Sequence, residues 1–166
     1  MNNAVYNFRP VERGDLLLLK SWLEAPHVAQ WWSDADEAAA EIAEIVEGSQ
    51  VKPYLATLLG RPIGYIQSYD PHEEIDHPYQ DQPAGTLGLD QFIGVAELTG
   101  LGHGPALTRA FCRKLFTEGA SRVITDPDPA NRNAVRAFAK AGFTRDEIRN
   151  TEYGTVLMMH LDAQTK

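Results

Sequence analysis

Runs of alternating apolar side chains and runs spaced three or four residues apart divide the chain into short elements. Val5 to Pro10 reads as a strand. Asp15 is placed to cap a helix running to about Glu24, with Leu16, Leu19 and Leu23 along one face. Pro26 opens a further turn through Trp31 and Trp32, and Ser33 or Asp34 caps a second helix carrying Ile42, Ile45 and Val46. Gly48 ends that helix. Pro53–Leu59 and Ile63–Tyr69 then form a hairpin around Gly60-Arg61-Pro62, with Ile63, Tyr65, Gln67 and Tyr69 on one face. Asp70 to Gly85 holds three prolines and no periodicity, and reads as a surface loop.

The second half repeats the pattern at shorter range. Thr86 to Ile93 is strand-like, with Asp90 inside it. Gly100-Leu-Gly-His-Gly-Pro-Ala106 leads into a helix with Leu107, Phe111 and Leu115 on one face, ended by Gly119. A strand at Arg122–Thr125, a turn at Asp126–Pro129, a helix from about Asn131 to Ala141 and two closing strands follow. The predicted order is β-α-α-β-β-β-α-β-α-β-β, an α/β fold in one domain across residues 1–166 with no linker.

Charge changes this picture more than composition does. With 15 Lys and Arg against 23 Asp and Glu, the chain of 166 residues carries a net charge of −8. That balance argues against nucleic-acid binding, which needs a basic surface. The charge is unevenly placed: Met1 to Thr108 carries −11 and Arg109 to Lys166 carries +3. The acidic part is either a solubility device or a surface for a ligand of opposite charge. Cys112 is the only cysteine, so no intrachain disulfide and no cysteine-built zinc site is expected. His72-Glu73-Glu74-Ile75-Asp76-His77 has no common metal-ligand spacing, and no metal is expected there. Neither a membrane span nor a signal peptide is visible, so a cytoplasmic protein is expected, as a monomer or homodimer.

The chemistry-bearing candidates begin with the glycine-rich segment. Glycines let backbone approach a ligand closely, and a helix start offers amide donors to an anion. By itself the segment is either such a cradle or a simple turn. It is neither a P-loop nor a dinucleotide fingerprint, because the required spacings fail.

Leu101-Gly-His-Gly104-Pro-Ala106, followed by Asn131-x-x-Ala134-x-x-x-Phe138-x-x-x-Gly142-Phe143, resembles the GCN5-related N-acetyltransferase (GNAT) superfamily. His27-Val-Ala-Gln-Trp31-Trp32, Pro62-Ile-Gly-Tyr65-Ile-Gln67-Ser-Tyr69, Gly88-Leu-Asp90-Gln91 and Thr125-Asp126-Pro-Asp-Pro look like the aminoglycoside 6′-N-acetyltransferases. The resemblance covers nearly the whole chain and is weakest at Asp70–Gly85. It implies a single, strongly twisted mixed β-sheet, splayed between its central strands and flanked by helices.

It also implies the function: direct transfer of an acetyl group from acetyl-CoA to a primary amine of a cationic small molecule, aminoglycoside-like or polyamine-like. Backbone near Ile93 and Val95 would pair with the pantetheine arm, one amide polarising the thioester carbonyl. Leu101, the amides of Gly102, His103, Gly104 and Ala106, and the helix bearing Asn131, Ala134 and Phe138 would hold acetyl-CoA. Asp90 matches the general base. Asp126 matches a second acidic contact, and Trp31, Trp32, Tyr65 and Gln67 an acceptor wall.

Three departures stand out. Leu101 replaces the usual Arg or Gln, Pro105 lacks an N–H, and Phe138 replaces a Tyr that protonates the leaving thiolate. Tyr69 and Tyr153 are candidate substitutes. Two other readings are a siderophore-precursor hydroxylamine acyltransferase, whose members typically have His where Asp90 stands, and a non-catalytic acyl-CoA-binding module.

Overall fold

The structure, a computed structural model, describes residues 5–165. Its strands are β1 (Tyr6–Pro10), β2 (Lys52–Leu58), β3 (Arg61–Tyr69), β4 (Thr86–Ile93), β5 (Arg122–Thr125), β6 (Thr144–Thr151) and β7 (Gly154–Asp162). Its helices are α1 (Leu16–Glu24), α2 (Pro26–Ala29), α3 (Ala35–Glu47), α4 (His103–Thr117) and α5 (Arg132–Lys140). The strands form one mixed seven-stranded sheet in the order β1-β2-β3-β4-β5-β7-β6. The chain forms two compact units, one running to Gln67 and resuming at Gln91–Gly104, the other comprising Ser68–Asp90 and Pro105 onward.

In the first unit, β1 pairs antiparallel with β2, Tyr6 opposite Leu58 and Pro10 opposite Tyr54. Helix α1 buries Leu19, Trp22 and Leu23, the spacing of one helical face. Asp34 caps α3 by accepting from the Asp36 and Glu37 amides at 2.9 and 3.3 Å. The helix ends at Gly48, whose φ of +144° an L side chain rarely adopts. These elements close a core of Val11, Leu19, Trp22, Leu23, Val28, Ile42, Leu55, Tyr65 and Phe92.

In the second unit, β4 and β5 run parallel, pairing Thr86 with Arg122, Leu87 with Val123 and Gly88 with Ile124. Strand β5 pairs antiparallel with β7 on its other side, and β7 with β6. The β6 register shifts between Arg145 and Ile148. Helix α4 buries Leu107, Phe111, Cys112 and Leu115, the expected face. Burial pushes the Cys112 thiol up to about 12, so it is an inert packing group.

Two expectations change. Helix α4 starts at His103, so His103 to Ala106 are its first turn rather than a loop before it. Asp70–Gly85 has no strand or helix, but it is no mere surface loop: Tyr79 is fully buried and His77 nearly so. Periodicity missed this because a single aromatic anchor leaves no repeat to read.

Candidate active site

The parallel register of β4 and β5 places the two candidate carboxylates. Gly88 stands opposite Ile124; Asp90 and Asp126 each follow two residues later, and residues two apart share a sheet face. Thr125 Oγ1 donates to the Leu89 carbonyl at 3.3 Å beyond the last paired residues. Burial, and then the negative charge of Asp90, lift the Asp126 carboxyl to about 7.

Around this pair the chain gathers three tyrosines. The Tyr79 hydroxyl donates to Asp126 Oδ2 at 2.5 Å. Burial, followed by the charge of Asp126, raises the Tyr79 phenol, so it stays a donor at working pH. Tyr69 lies over Gly88: a Cβ at that glycine would meet the Tyr69 ring at 2.1 Å. Burial and the charges of Asp90 and Asp126 raise its phenol too. Tyr153 feels the same two carboxylates, more weakly than its own burial and the nearby Glu74 and Glu152.

The loop holding Tyr79 is pinned from β6. Arg149 forms a two-pronged ion pair with Asp81 at 3.0 and 2.6 Å and donates to the Pro78 carbonyl at 3.1 Å. Its guanidinium lies 5.8 Å from the centre of the Tyr79 ring. The Tyr79 amide donates to His77 Nδ1 at 3.1 Å, which fixes His77 with its proton on Nε2. Burial depresses the His77 imidazole, favouring the neutral ring. None of Tyr79, His77 and Arg149 was expected at the site. The only hint in sequence was an isolated aromatic within an acidic, proline-rich stretch.

In the other unit, Trp32 meets Phe92 edge-on at 4.9 Å, and Tyr65 stacks on Phe92 at 5.5 Å. Tyr65 was expected to line an acceptor wall, but its side chain is fully buried. Its hydroxyl donates to Gln67 Oε1 at 2.5 Å, so it packs the core and orients Gln67. Trp32 is half-buried against this cluster, and Trp31 is 40% exposed. Trp31 is thus the paired tryptophan whose ring faces solvent.

The backbone near Ile93 is engaged within its own unit. The Gly94 and Val95 amides both donate to the Ile63 carbonyl, at 2.8 and 3.3 Å. His27 Nε2 meets the Ile93 carbonyl at 2.9 Å, a role that its sequence position did not reveal.

The glycine-rich stretch has the geometry of a cradle. Gly100 and Gly102 have φ of +74° and +87°, and nothing lies within 4 Å of a Cβ built at either or at Gly104. The start of a helix leaves amides without intrahelical acceptors, and the fifteen-residue α4 starts here. The stretch therefore fits an anionic diphosphate. His103 Nδ1 shares a 2.7 Å hydrogen bond with the Tyr6 hydroxyl, so it is a braced residue rather than a loose loop histidine. Leu101 is 62% exposed. Arg109, the first cation after the stretch, donates to the Lys140 carbonyl at 2.9 Å.

On α5, Asn131 is the N-cap, accepting from the Ala134 amide at 3.2 Å. Phe138 is buried edge-on against Phe143 at 5.6 Å. Both were expected to contact acetyl-CoA; in this structure they cap and pack, while Ala134 is half-buried. A groove of about 580 Å³ elsewhere, lined by Arg132, Arg136 and Arg145 among others, holds none of the expected site residues. Among the described residues no cluster could hold a metal, and no helix is long and apolar enough to cross a membrane.

Known proteins share this fold and much of this sequence. A family described as an acetyltransferase (GNAT) domain matches residues 12–151. The aminoglycoside N(6′)-acetyltransferase type 1 of Klebsiella pneumoniae is 33% identical, over 95% of this chain and 83% of that protein. The lysine N-acyltransferase MbtK of Mycolicibacterium paratuberculosis is 26% identical, over 96% of this chain and 75% of that one. The crystal structure of AAC(6′)-Ib with coenzyme A and kanamycin superimposes with a TM-score of 0.86 at 31% identity, covering 95% of each chain.

Proposed function

The chain belongs to the GNAT acetyltransferase family, and from that premise we propose that it acetylates a primary amine of an aminoglycoside-like polycation, using acetyl-CoA. The observation that supports this reading is that Asp90 and Asp126 each stand two residues beyond the last paired residues of β4 and β5, near enough for the charge of Asp90 to act on Asp126. Two adjacent carboxylates attract a ligand bearing several ammonium groups and can take up a proton from one of them.

Acetyl-CoA, when bound, supplies an acetyl group activated as a thioester. The Gly100–Ala106 stretch, which carries no Lys or Arg, would hold its diphosphate mainly by backbone amides. An aliphatic ammonium is mostly protonated at neutral pH, and only its free amine is nucleophilic. Asp90 serves as the base that takes that proton. The new N–C bond forms as the C–S bond breaks, the nitrogen gives up its second proton to water, and the thiolate leaves. Phe138 cannot protonate it. The thiolate either departs unprotonated or takes its proton from water or from a tyrosine such as Tyr69. Asp126, steadied by Tyr79, binds a further ammonium of the acceptor.

The work of such an enzyme belongs in the cytoplasm, where acetyl-CoA is available, and one domain suffices for it. The similarity to a lysine N-acyltransferase favours a lysine-type amine as the second acceptor class. Thiol release from acetyl-CoA, measured with kanamycin, ribostamycin, spermidine and N-hydroxylysine, separates the readings. Rapid release with the aminoglycosides and a mono-acetylated product by mass spectrometry are expected. Release with N-hydroxylysine alone, or with no amine, would overturn the proposal.

A further inference from the structure

The geometry points to Tyr79 as a positioning residue for the acceptor-side carboxylate Asp126: its hydroxyl holds Asp126 in place and favours its charged form, and Arg149 keeps Tyr79 there. This rests on the function proposed above and names the residue that tunes its cation-binding group.

Tyr79 is fully buried in a segment with no regular structure, an arrangement that needs a reason. Its ring belongs to a small core with Ile124, Val156 and Met158. Apolar packing alone would be served as well by Phe. The hydroxyl, at 2.5 Å from Asp126 Oδ2, is what Phe would lack. A phenol facing a carboxylate favours the charged form of that carboxylate, because the protonated form is the poorer acceptor.

The groups facing Asp126 pull in opposite directions. Asp90 on β4 favours the protonated form, as does burial. Tyr79 opposes them. Tyr69 on β3 and Tyr153 at the β6–β7 turn are neutral phenols in the same field. His77, beside both Tyr69 and Tyr79, favours its neutral form. Arg149 is the one cation in contact with the Tyr79 ring, and it is already committed to Asp81 and Glu147. Tyr79 is therefore a direct side-chain donor to the Asp126 carboxylate, beside the Asp126 amide itself, and its removal takes away the larger of the two contacts that oppose burial and the Asp90 charge.

The experiment follows the Asp126 carboxyl carbon by 13C NMR against pH, assigned by comparison with Asp126→Asn. In Tyr79→Phe the midpoint should move up by about one pH unit, a tenfold rise in proton affinity, the worth of one hydrogen bond to a charged group. The acidic limb of kcat/KM for the acceptor should move up with it, while KM for acetyl-CoA holds. Near-isosteric fluorotyrosine at position 79 is a stronger donor and should move the midpoint down. That variant also keeps the test decisive if the Phe variant folds poorly. A midpoint unmoved by both changes overturns the proposal. If the wild type acetylates no aminoglycoside, the functional reading fails, but the titration still decides the role of Tyr79.

Discussion

Tyr79 and Asp126 stand 47 residues apart in sequence and meet in a 2.5 Å hydrogen bond inside the second unit of the fold. The contact joins an irregular loop to the end of a parallel strand. Through it, the loop reaches the carboxylate proposed to bind an ammonium of the acceptor.

Asp90→Asn removes the proposed base and keeps the side-chain shape. Acceptor kcat should fall by about 10²- to 10⁴-fold, the usual worth of a positioned general base. KM for acetyl-CoA should change little, because Asp90 is not among the groups assigned to CoA. Steady-state kinetics with each substrate varied in turn checks this, and near-normal turnover would exclude Asp90 as the base.

The stability of the fold should depend on Asp126 in a definite direction. Its carboxyl is ordinary in the unfolded chain and lifted to about 7 in the folded one, so the native state holds the extra proton between those values. Stability is then lost as pH rises through that window. Asp126→Asn should melt at the wild-type temperature near pH 4 and a few degrees above it near pH 8, with the gain developing between. Acceptor binding should be weaker in this variant at every pH above neutrality. Thermal scans across pH, read beside acceptor KM, test both.

Gly88→Ala adds a methyl where the Tyr69 ring already lies, 2.1 Å from the new Cβ. The ring must leave its place beside Asp90 or the strand must move. Overpacking of this kind costs about 1–3 kcal/mol. A fall in Tm together with a fall in acceptor kcat is expected, and a variant that keeps both would show that the strand yields freely.

Arg149→Gln releases the Asp81 ion pair and the hold on the Pro78 carbonyl. The loop bearing Tyr79 should loosen. Amide hydrogen exchange should quicken at residues 77–82, and acceptor KM should rise severalfold while KM for acetyl-CoA stays put. Raised salt should weaken acceptor binding in the wild type as well, since the attraction between carboxylates and a polycation is screened.

Much of the chain could be read without its fold. The α1, α3 and α4 faces follow from apolar side chains three and four apart, a local signal that each helix carries within itself. Asp34 and Gly48 mark the ends of α3 for equally local reasons. The glycine-rich stretch by itself left a cradle and a simple turn open, and Asp90 and Asp126 could be named as candidates from the resemblance of their motifs. Harder to read were residues whose type fits two roles. Tyr65 read as an acceptor wall and Phe138 as a cofactor-side residue, but aromatic rings serve cores equally well, and both are buried. Asn131 read as a cofactor contact, and its side-chain oxygen caps α5.

The sequence by itself determined the elements, their order and the kind of chemistry available, because helix faces, caps and turns depend on neighbours a few residues away. Tertiary structure alone decided that Asp126 is buried within reach of the charge of Asp90, since the parallel register of β4 and β5 brings together distant parts of the chain. It alone brought Tyr79 to them, by way of an Arg149 clamp that no periodicity encodes. Charge states follow the same division: a carboxylate's identity is written in the chain, but its burial and its neighbours exist only after folding.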